Sequence, residues 1–329
     1  MPSKNKHRPF TPDPAQTAKA PAISGNEING LNDPIPRRPR MVYWAPDPAT
    51  IPHGALQGYF YEQSAKVPAF AEKRAQRMEV AKAAVPPLSD HKRQATPSVW
   101  TSDLDQFVSS GVCDMTGVAE MNPEWVFEGH HIAQSRVIML GVQHDYDEIA
   151  KAPDVDAGLQ VMDQYIRAAQ AAKRVAGWIR TQGWDAEAVT GPMTGALAMI
   201  PPALACGFGE LGKHGSIINP EFGASFRLSA VLTDAPFEAT QARTHGVDGF
   251  CQSCRICEDA CPPEALSAEK QTVRGVRKWY VDFDKCLPFF NQTHGCAICI
   301  AVCPWSRPGV GLNLAAKLAR RSARSVGDD

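Results

Sequence analysis

The sequence predicts an α/β body followed by a small cysteine-rich C-terminal module, on three observations. SRVIMLGVQ (135–143) is a short apolar run with β-branched residues that fits a buried strand. The stretch 155–184 repeats apolar residues every three or four positions, at Leu159, Met162, Ile166, Ala169, Ala172, Ala176 and Ile179, as an amphipathic helix does. Eight of the ten cysteines fall between Cys251 and Cys303.

Residues 1–97 are rich in proline and polar residues, with aromatic landmarks at Tyr43, Trp44, Tyr59, Phe60 and Tyr61. Only PAFAEKRAQRMEVAKAA reads as a helix there, so this region is expected to be an arm wrapped over a larger body. The α/β domain is expected over 98–245, with Gly183 ending its long helix after basic residues suited to a C-terminus. ASFRLSAVLTD alternates Phe226, Leu228, Ala230 and Leu232 with Arg227, Ser229 and Thr233, and reads as a second strand. Residues 246–329 form the cysteine module and a tail, whose AAKLARRSARS is expected to be a solvated helix or extension. No repeat or low-complexity tract occurs.

The 329 residues carry 34 basic and 35 acidic side chains, so no overall field favours nucleic acid or an anionic membrane. The opening MPSKNKHRPF has no apolar signal core, and no hydrophobic segment follows Arg37 and Arg38. GPMTGALAMIPPALACGFG is broken by Pro201 and Pro202, so it is not a membrane span. These features predict a cytoplasmic protein. Clustering argues against a disulfide scaffold, and Cys113 and Cys206 read as buried free thiols.

Cys251, Cys254, Cys257 and Cys261 give C-x2-C-x2-C-x3-C-P, the bacterial ferredoxin run. Cys286, Cys296, Cys299 and Cys303 repeat its ending, with the first cysteine ten residues ahead of the second. Eight thiolates supply two [4Fe–4S] clusters. Three cysteines on a tight loop grip one cube, and the fourth reaches the other. This assigns Cys251, Cys254, Cys257 and Cys303 to one cluster, and Cys261, Cys286, Cys296 and Cys299 to the second. A four-cysteine zinc site explains the run poorly and leaves cysteines over.

A bare ferredoxin would not need the roughly 240 residues upstream. No dinucleotide or phosphate-loop motif occurs among them. Glycines 207, 209, 212, 215 and 223 would let backbone approach a large flat ligand. GFGELGKHGSIINPEFGASFRLSAVLTD followed by FCQSCRICEDACP resembles the corrinoid-dependent reductive dehalogenases. SRVIMLGVQHDYDEI, YIRAAQAAKRVAGWIRTQGWDA and DKCLPFFNQTHGCAICIAVCPWS extend the resemblance over about 98–305.

That resemblance implies a nitroreductase-like α/β domain binding cobalamin, reduced through two clusters to a Co(I) nucleophile. It implies removal of halide from a small organohalide, aromatic ones included, with Tyr165 as proton donor and Arg227 as the cation that tunes it. A cation beside a phenol stabilises phenolate. It also places the cofactor against Gly207, Gly209, Gly212, Lys213, His214, Gly215, Asn219 and Gly223. The chain has no D-x-H-x-x-G, which agrees with a base-off cofactor lacking a histidine ligand. An external ferredoxin or flavin reductase is the implied electron donor; a homodimer is compatible with the sequence, and no nucleic-acid or membrane partner is expected.

Plainer roles stand beside these. Tyr165 borders the apolar stripe as a core or lid residue would, and Arg227 occupies the polar phase of a strand. Lys213 and His214 fit a solvated loop equally well. His144, at a strand end, reads as a structural hydrogen-bonding residue, and His130 and His131 are assigned nothing. Epoxyqueuosine reductase, a related tRNA-modifying enzyme, shares the GKHG…INPEFG and cluster motifs. Charge balance, the tyrosine-bearing helix, the Cys286–Cys296 spacing and the arm weigh against it. A non-catalytic electron carrier, with clusters but no corrinoid, is the other alternative.

Overall fold

The structure, a computed structural model, describes residues 7–191 and 195–326. The opening MPSKNK, positions 192–194 of the long apolar run and the last three residues of the tail lie outside the described residues.

The arm contains α1 (Pro14–Thr17), α2 (Gly25–Asn29), α3 (Gly54–Ala65) and α4 (Pro68–Lys82), and α5 (Pro97–Ser109) follows it. Only α4 was legible as a helix. The shorter ones depend on caps: the Ser24 hydroxyl accepts from the Asn26 and Glu27 amides, and Gly30 closes α2 in the left-handed region at φ 79°. Proline-rich composition hides such turns, because proline is also a good first helical residue.

The central sheet holds β1 (Met115–Glu120), β2 (Arg136–Gln143), β3 (Ala186–Val189) and β6 (Phe226–Thr233), in the order β1-β2-β6-β3. All three pairings are antiparallel. Between β2 and β3 run α6 (Tyr146–Ile149) and α7 (Val155–Arg180); α8 (Ile200–Ala205) and the small hairpin β4 (Glu210–Leu211)–β5 (Ile217–Ile218) precede β6.

Both sheet faces are covered. Ile138, Leu140, Val142 and Val231 pack against Trp100 and Leu104 of α5 and the alanine-rich face of α7. Val137, Met139, Ala230 and Leu232 pack on the other side with Ala203 and Phe208. This double burial is why β2 reads as an uninterrupted apolar run. It also corrects the reading of β6: Ser229 and Thr233 are fully buried, because β6 is a central strand without a solvent face.

Helix α7 stops at Arg180, three residues before Gly183. Gly183 lies in the turn beyond at φ 80°, where a Cβ would fall 2.3 Å from the His91 carbonyl of the crossing arm. In the helix's C-terminal half Ala169, Ala172, Ala176 and Ile179 are buried, whereas Leu159, Met162 and Ile166 are half-buried.

The cysteine module comprises α9 (Val247–Ser253), α10 (Ile256–Ala260), the hairpin β7 (Gln271–Val273)–β8 (Val276–Lys278), α11 (Phe283–Gln292), α12 (Ile298–Ala301) and α13 (Val310–Val326). The arm ties it down. The Arg8 guanidinium donates to the Cys261 carbonyl, Asn26 bonds Asp282 and Tyr280, and the Tyr43 hydroxyl meets Asn291. At its other end the arm lays α4 along α7, with Lys73 paired to Asp163.

Candidate functional site

The eight module cysteines sort in space into two groups. Cys251, Cys254, Cys257 and Cys303 line one small cavity of about 10 Å³. Cys261 packs with Cys286 and Cys299, in a cluster that Cys257 also borders, while Cys286, Cys296 and Cys299 line a much larger cavity. Each group thus draws one member from the other cysteine run. Cys261 follows α10 in extended conformation, which turns its side chain away from the loop that precedes it.

Burial, and then neighbouring thiols, push the Cys257 and Cys286 thiols up. Cys257 rises to about 12 with Cys303 and Cys251 adding to the effect, and Cys286 rises to about 12 with Cys296 and Cys261 adding. Buried, mutually repelling thiolates need a cationic partner, and iron is the soft cation that four such sulfurs hold. The donor sets fit [4Fe–4S] clusters.

The larger cavity, of about 590 Å³, lies where the three parts of the chain meet. Arg40 to Trp44 of the arm form one wall, Leu197–Met199, His214, Ser216 and Arg227 another, and Cys286, Cys296 and Cys299 with Phe290 the third. Most of the wall is apolar, and two buried donors in it have no protein partner, His214 Nε2 and Arg227 Nε. His214 Nδ1 accepts the Ser216 amide at 3.2 Å, which leaves the proton on Nε2. Burial pushes this imidazole down to about 4, so it stays a neutral donor. A wide apolar cleft with inward-facing donors beside a cysteine group fits a large amide-rich cofactor such as a corrinoid.

Arg227 reaches this wall because β6 alternates: Val231 faces α7, and four residues earlier so does Arg227. Its Cζ lies 5.1 Å from the centre of the Tyr165 ring. Arg77, on α4, approaches the same ring with its Cζ at 5.2 Å. Tyr165 is half-buried between these two guanidiniums and is not itself among the described residues lining the cavity. His144 sits close by, fully buried, with Nδ1 3.1 Å from the Ser225 hydroxyl. Burial, reinforced by Arg227, holds its imidazole well below the usual range.

The other sequence candidates lie elsewhere. Lys213 is 1 % exposed and is spent at the first cysteine group, its Nζ donating to the Cys254 carbonyl at 2.9 Å and pairing with Glu258 at 3.5 Å. Asn219 shapes a turn, accepting the Glu221 and Phe222 amides and donating to the Phe208 carbonyl. The glycines have internal reasons. At Gly209 a Cβ would fall 2.1 Å from the Ile218 carbonyl, and at Gly223 2.3 Å from Ser306 Cα. Gly207, Gly212 and Gly215 likewise have protein atoms within 3.0 Å of that position. Backbone atoms crowd these positions at 207, 209 and 223 and side chains do so at 212 and 215, so the fold itself calls for glycine there. Arg77 and the 40–44 segment were missed; the arm's sequence carries no signal of which residues it folds inward.

An α/β scaffold carries two ferredoxin-type cysteine groups beside a large cleft, the arrangement of an iron–sulfur protein. Residues 250–306 match the family model described as a 4Fe-4S dicluster domain. The chain is 32 % identical over 218 residues to a tetrachloroethene reductive dehalogenase of Desulfitobacterium hafniense, an alignment covering 62 % of this chain and 39 % of that protein. It is 35 % identical over 108 residues to a trichloroethene reductive dehalogenase of Dehalococcoides mccartyi, covering 30 % and 18 % respectively. An epoxyqueuosine reductase of Lactococcus garvieae is 29 % identical over 130 residues, 35 % of this chain and 33 % of that one. Among solved structures, the catabolic reductive dehalogenase NpRdhA superposes with a TM-score of 0.69 at 19 % identity, over 90 % of this chain and 45 % of that chain. The chain is similar to the reductive dehalogenases over the aligned residues. It spans about two-fifths of the length of the tetrachloroethene enzyme it matches.

Proposed function

We propose that this protein removes halide reductively from a small organic molecule, with cobalamin held in the large cavity and two [4Fe–4S] clusters feeding it. One observation carries the reading: Cys286, Cys296 and Cys299 share a single cavity with Arg227, whose guanidinium lies on Tyr165. The net reaction takes an organohalide, two electrons and one proton to the hydrocarbon and halide. When bound, reduced cobalamin supplies the electron pair that breaks the carbon–halogen bond.

The chain's own residues do the rest. His214 Nε2 donates to a side-chain amide of the cofactor, and the apolar wall around Leu197 and Met199 excludes water. Tyr165 delivers the proton to the carbon that loses halide, and Arg227 stabilises the phenolate left behind. Aromatic walls at Tyr43, Trp44 and Phe290 favour a flat, aromatic substrate. NpRdhA has been solved in complex with 3-bromo-4-hydroxybenzoic acid, which supports that class. An external ferredoxin or flavin reductase supplies the electrons. Among the described residues no helix is long and apolar enough to cross a membrane, in keeping with a cytoplasmic setting.

The test is anaerobic reconstitution with cobalamin and Ti(III) citrate, followed by halide release from halogenated phenols and haloalkenes, with epoxyqueuosine-bearing tRNA in parallel. Halide release that collapses in Tyr165→Phe while cobalamin remains bound is the expected result. Turnover of tRNA with no halide release would replace this reading by the tRNA-modifying one.

A further inference from the structure

The C-terminal helix α13 (Val310–Val326) is amphipathic, and both of its sides have a use. Leu314, Ala315 and Leu318 pack into the cluster that contains Cys251, Cys303, Trp279 and Trp305. The helix therefore packs on the same cluster as two cysteines of the first group, although none of its residues lines that group's cavity. Its other flank is purely basic. Lys317, Arg320, Arg321 and Arg324 are all exposed, and the helix contains no acidic residue. At about 100° per residue these four fall within roughly one third of the helix circumference. No described residue forms a salt bridge with any of them.

Elsewhere in the module Arg255 pairs with Glu258 and Asp259, and Lys270 with Asp248, while the exposed Arg277, Lys285 and Arg307 stand singly, without a salt bridge to a described residue. Four such cations on one arc single out α13. A chain of near-zero net charge concentrates this positive ridge on the helix that packs into the cluster of Cys251 and Cys303.

We propose that the exposed flank of α13 is the docking surface for a small acidic one-electron carrier, a reduced ferredoxin or flavodoxin, that delivers electrons to the Cys251/Cys254/Cys257/Cys303 cluster. This rests on the iron–sulfur part of the proposed function and not on its dehalogenation chemistry. Each encounter oxidises the carrier by one electron and reduces the cluster by one, and two encounters supply the pair the reaction consumes. A protein partner is favoured over a lipid surface because Leu314, Ala315 and Leu318 are already packed in the core, which leaves Leu312 as the one large exposed apolar side chain on the helix among the described residues. It is favoured over nucleic acid because the ridge sits on a redox centre.

The experiment is stopped-flow bleaching of the clusters in the full chain, with no corrinoid or organohalide needed. With flavodoxin hydroquinone as donor, the rate is expected to fall at least about tenfold when salt is raised from low to 0.5 M. The triple variant Lys317→Gln, Arg320→Gln, Arg321→Gln is expected to lose a similar factor at low salt, while reduction by Ti(III) citrate keeps its wild-type rate. The proposal is overturned if the variant accepts electrons from flavodoxin at the wild-type rate, or slows equally with both reductants. It is overturned equally if the variant loses binding to anionic phosphatidylserine vesicles or to tRNA while flavodoxin reduction is untouched.

Discussion

The two cysteine groups are built from similar runs but are closed by different things. Around the first, protein seals the cavity: Trp305 is 1 % exposed, α13 covers Cys251 and Cys303, and the buried Lys213 ammonium donates to the Cys254 carbonyl. Around the second, Cys286, Cys296 and Cys299 form part of the wall of the large cavity itself. The difference gives the module two unlike ends, a sealed group packed in protein and a group that opens into the cavity lined by Arg227.

That asymmetry can be broken residue by residue. Cys299→Ala should abolish turnover and also perturb cobalamin binding, because it alters a cavity wall. Cys254→Ala should abolish reduction by a protein donor yet leave cobalamin binding as in the wild type. Iron content and corrinoid absorbance, measured together, check this; equal loss of cobalamin in both variants would remove the distinction.

Tyr165→Phe comes next in size. Loss of a positioned proton donor is expected to lower kcat by about 10²- to 10⁴-fold, with iron and cobalt content unchanged. Arg227→Gln should cost less and Arg77→Gln less again. A cation over an aromatic face contributes about 0.5–2 kcal/mol, so the Arg77 change is expected to stay within about thirtyfold in kcat/KM. An Arg77→Gln enzyme slower than Arg227→Gln would reverse the ranking and make the arm the main source of the cation.

The smallest effect is on stability. Burial, then Arg227, holds His144 neutral well below the usual imidazole range. As pH falls through about 6.5 the unfolded chain binds a proton that the folded one refuses, so stability is lost toward acid. The slope from this group is at most about 1.4 kcal/mol per pH unit. Anaerobic urea unfolding at pH 7.5 and 5.5 should show a smaller loss in His144→Asn; an unchanged difference would assign the acid sensitivity elsewhere.

Elements with one dominant local signal could be read from sequence. The apolar run became β2, the three-to-four periodicity became α7, and the ferredoxin spacing matched the dicluster family. Other placements depended on tertiary neighbours. Ser229 and Thr233, on the polar phase of β6, are buried by a second layer. The glycines of 207–223 stand beside carbonyls and side chains of the protein itself. Lys213, beside His214 in sequence, turns to the first cysteine group, while the two residues together line its cavity and only His214 reaches the larger one. Arg77 was invisible because nothing local says that α4 will lie on α7 opposite Tyr165.

The central claim is that one cofactor-sized site joins the open cysteine group to Arg227 and Tyr165. Metal analysis of protein purified anaerobically and reconstituted with iron, sulfide and cobalamin tests it most directly. The account predicts about eight iron and one cobalt per chain, with the cobalt retained in Tyr165→Phe and weakened in His214→Phe. Eight iron with no stoichiometric cobalt under any reducing condition would contradict it, and would leave an electron carrier in place of an enzyme.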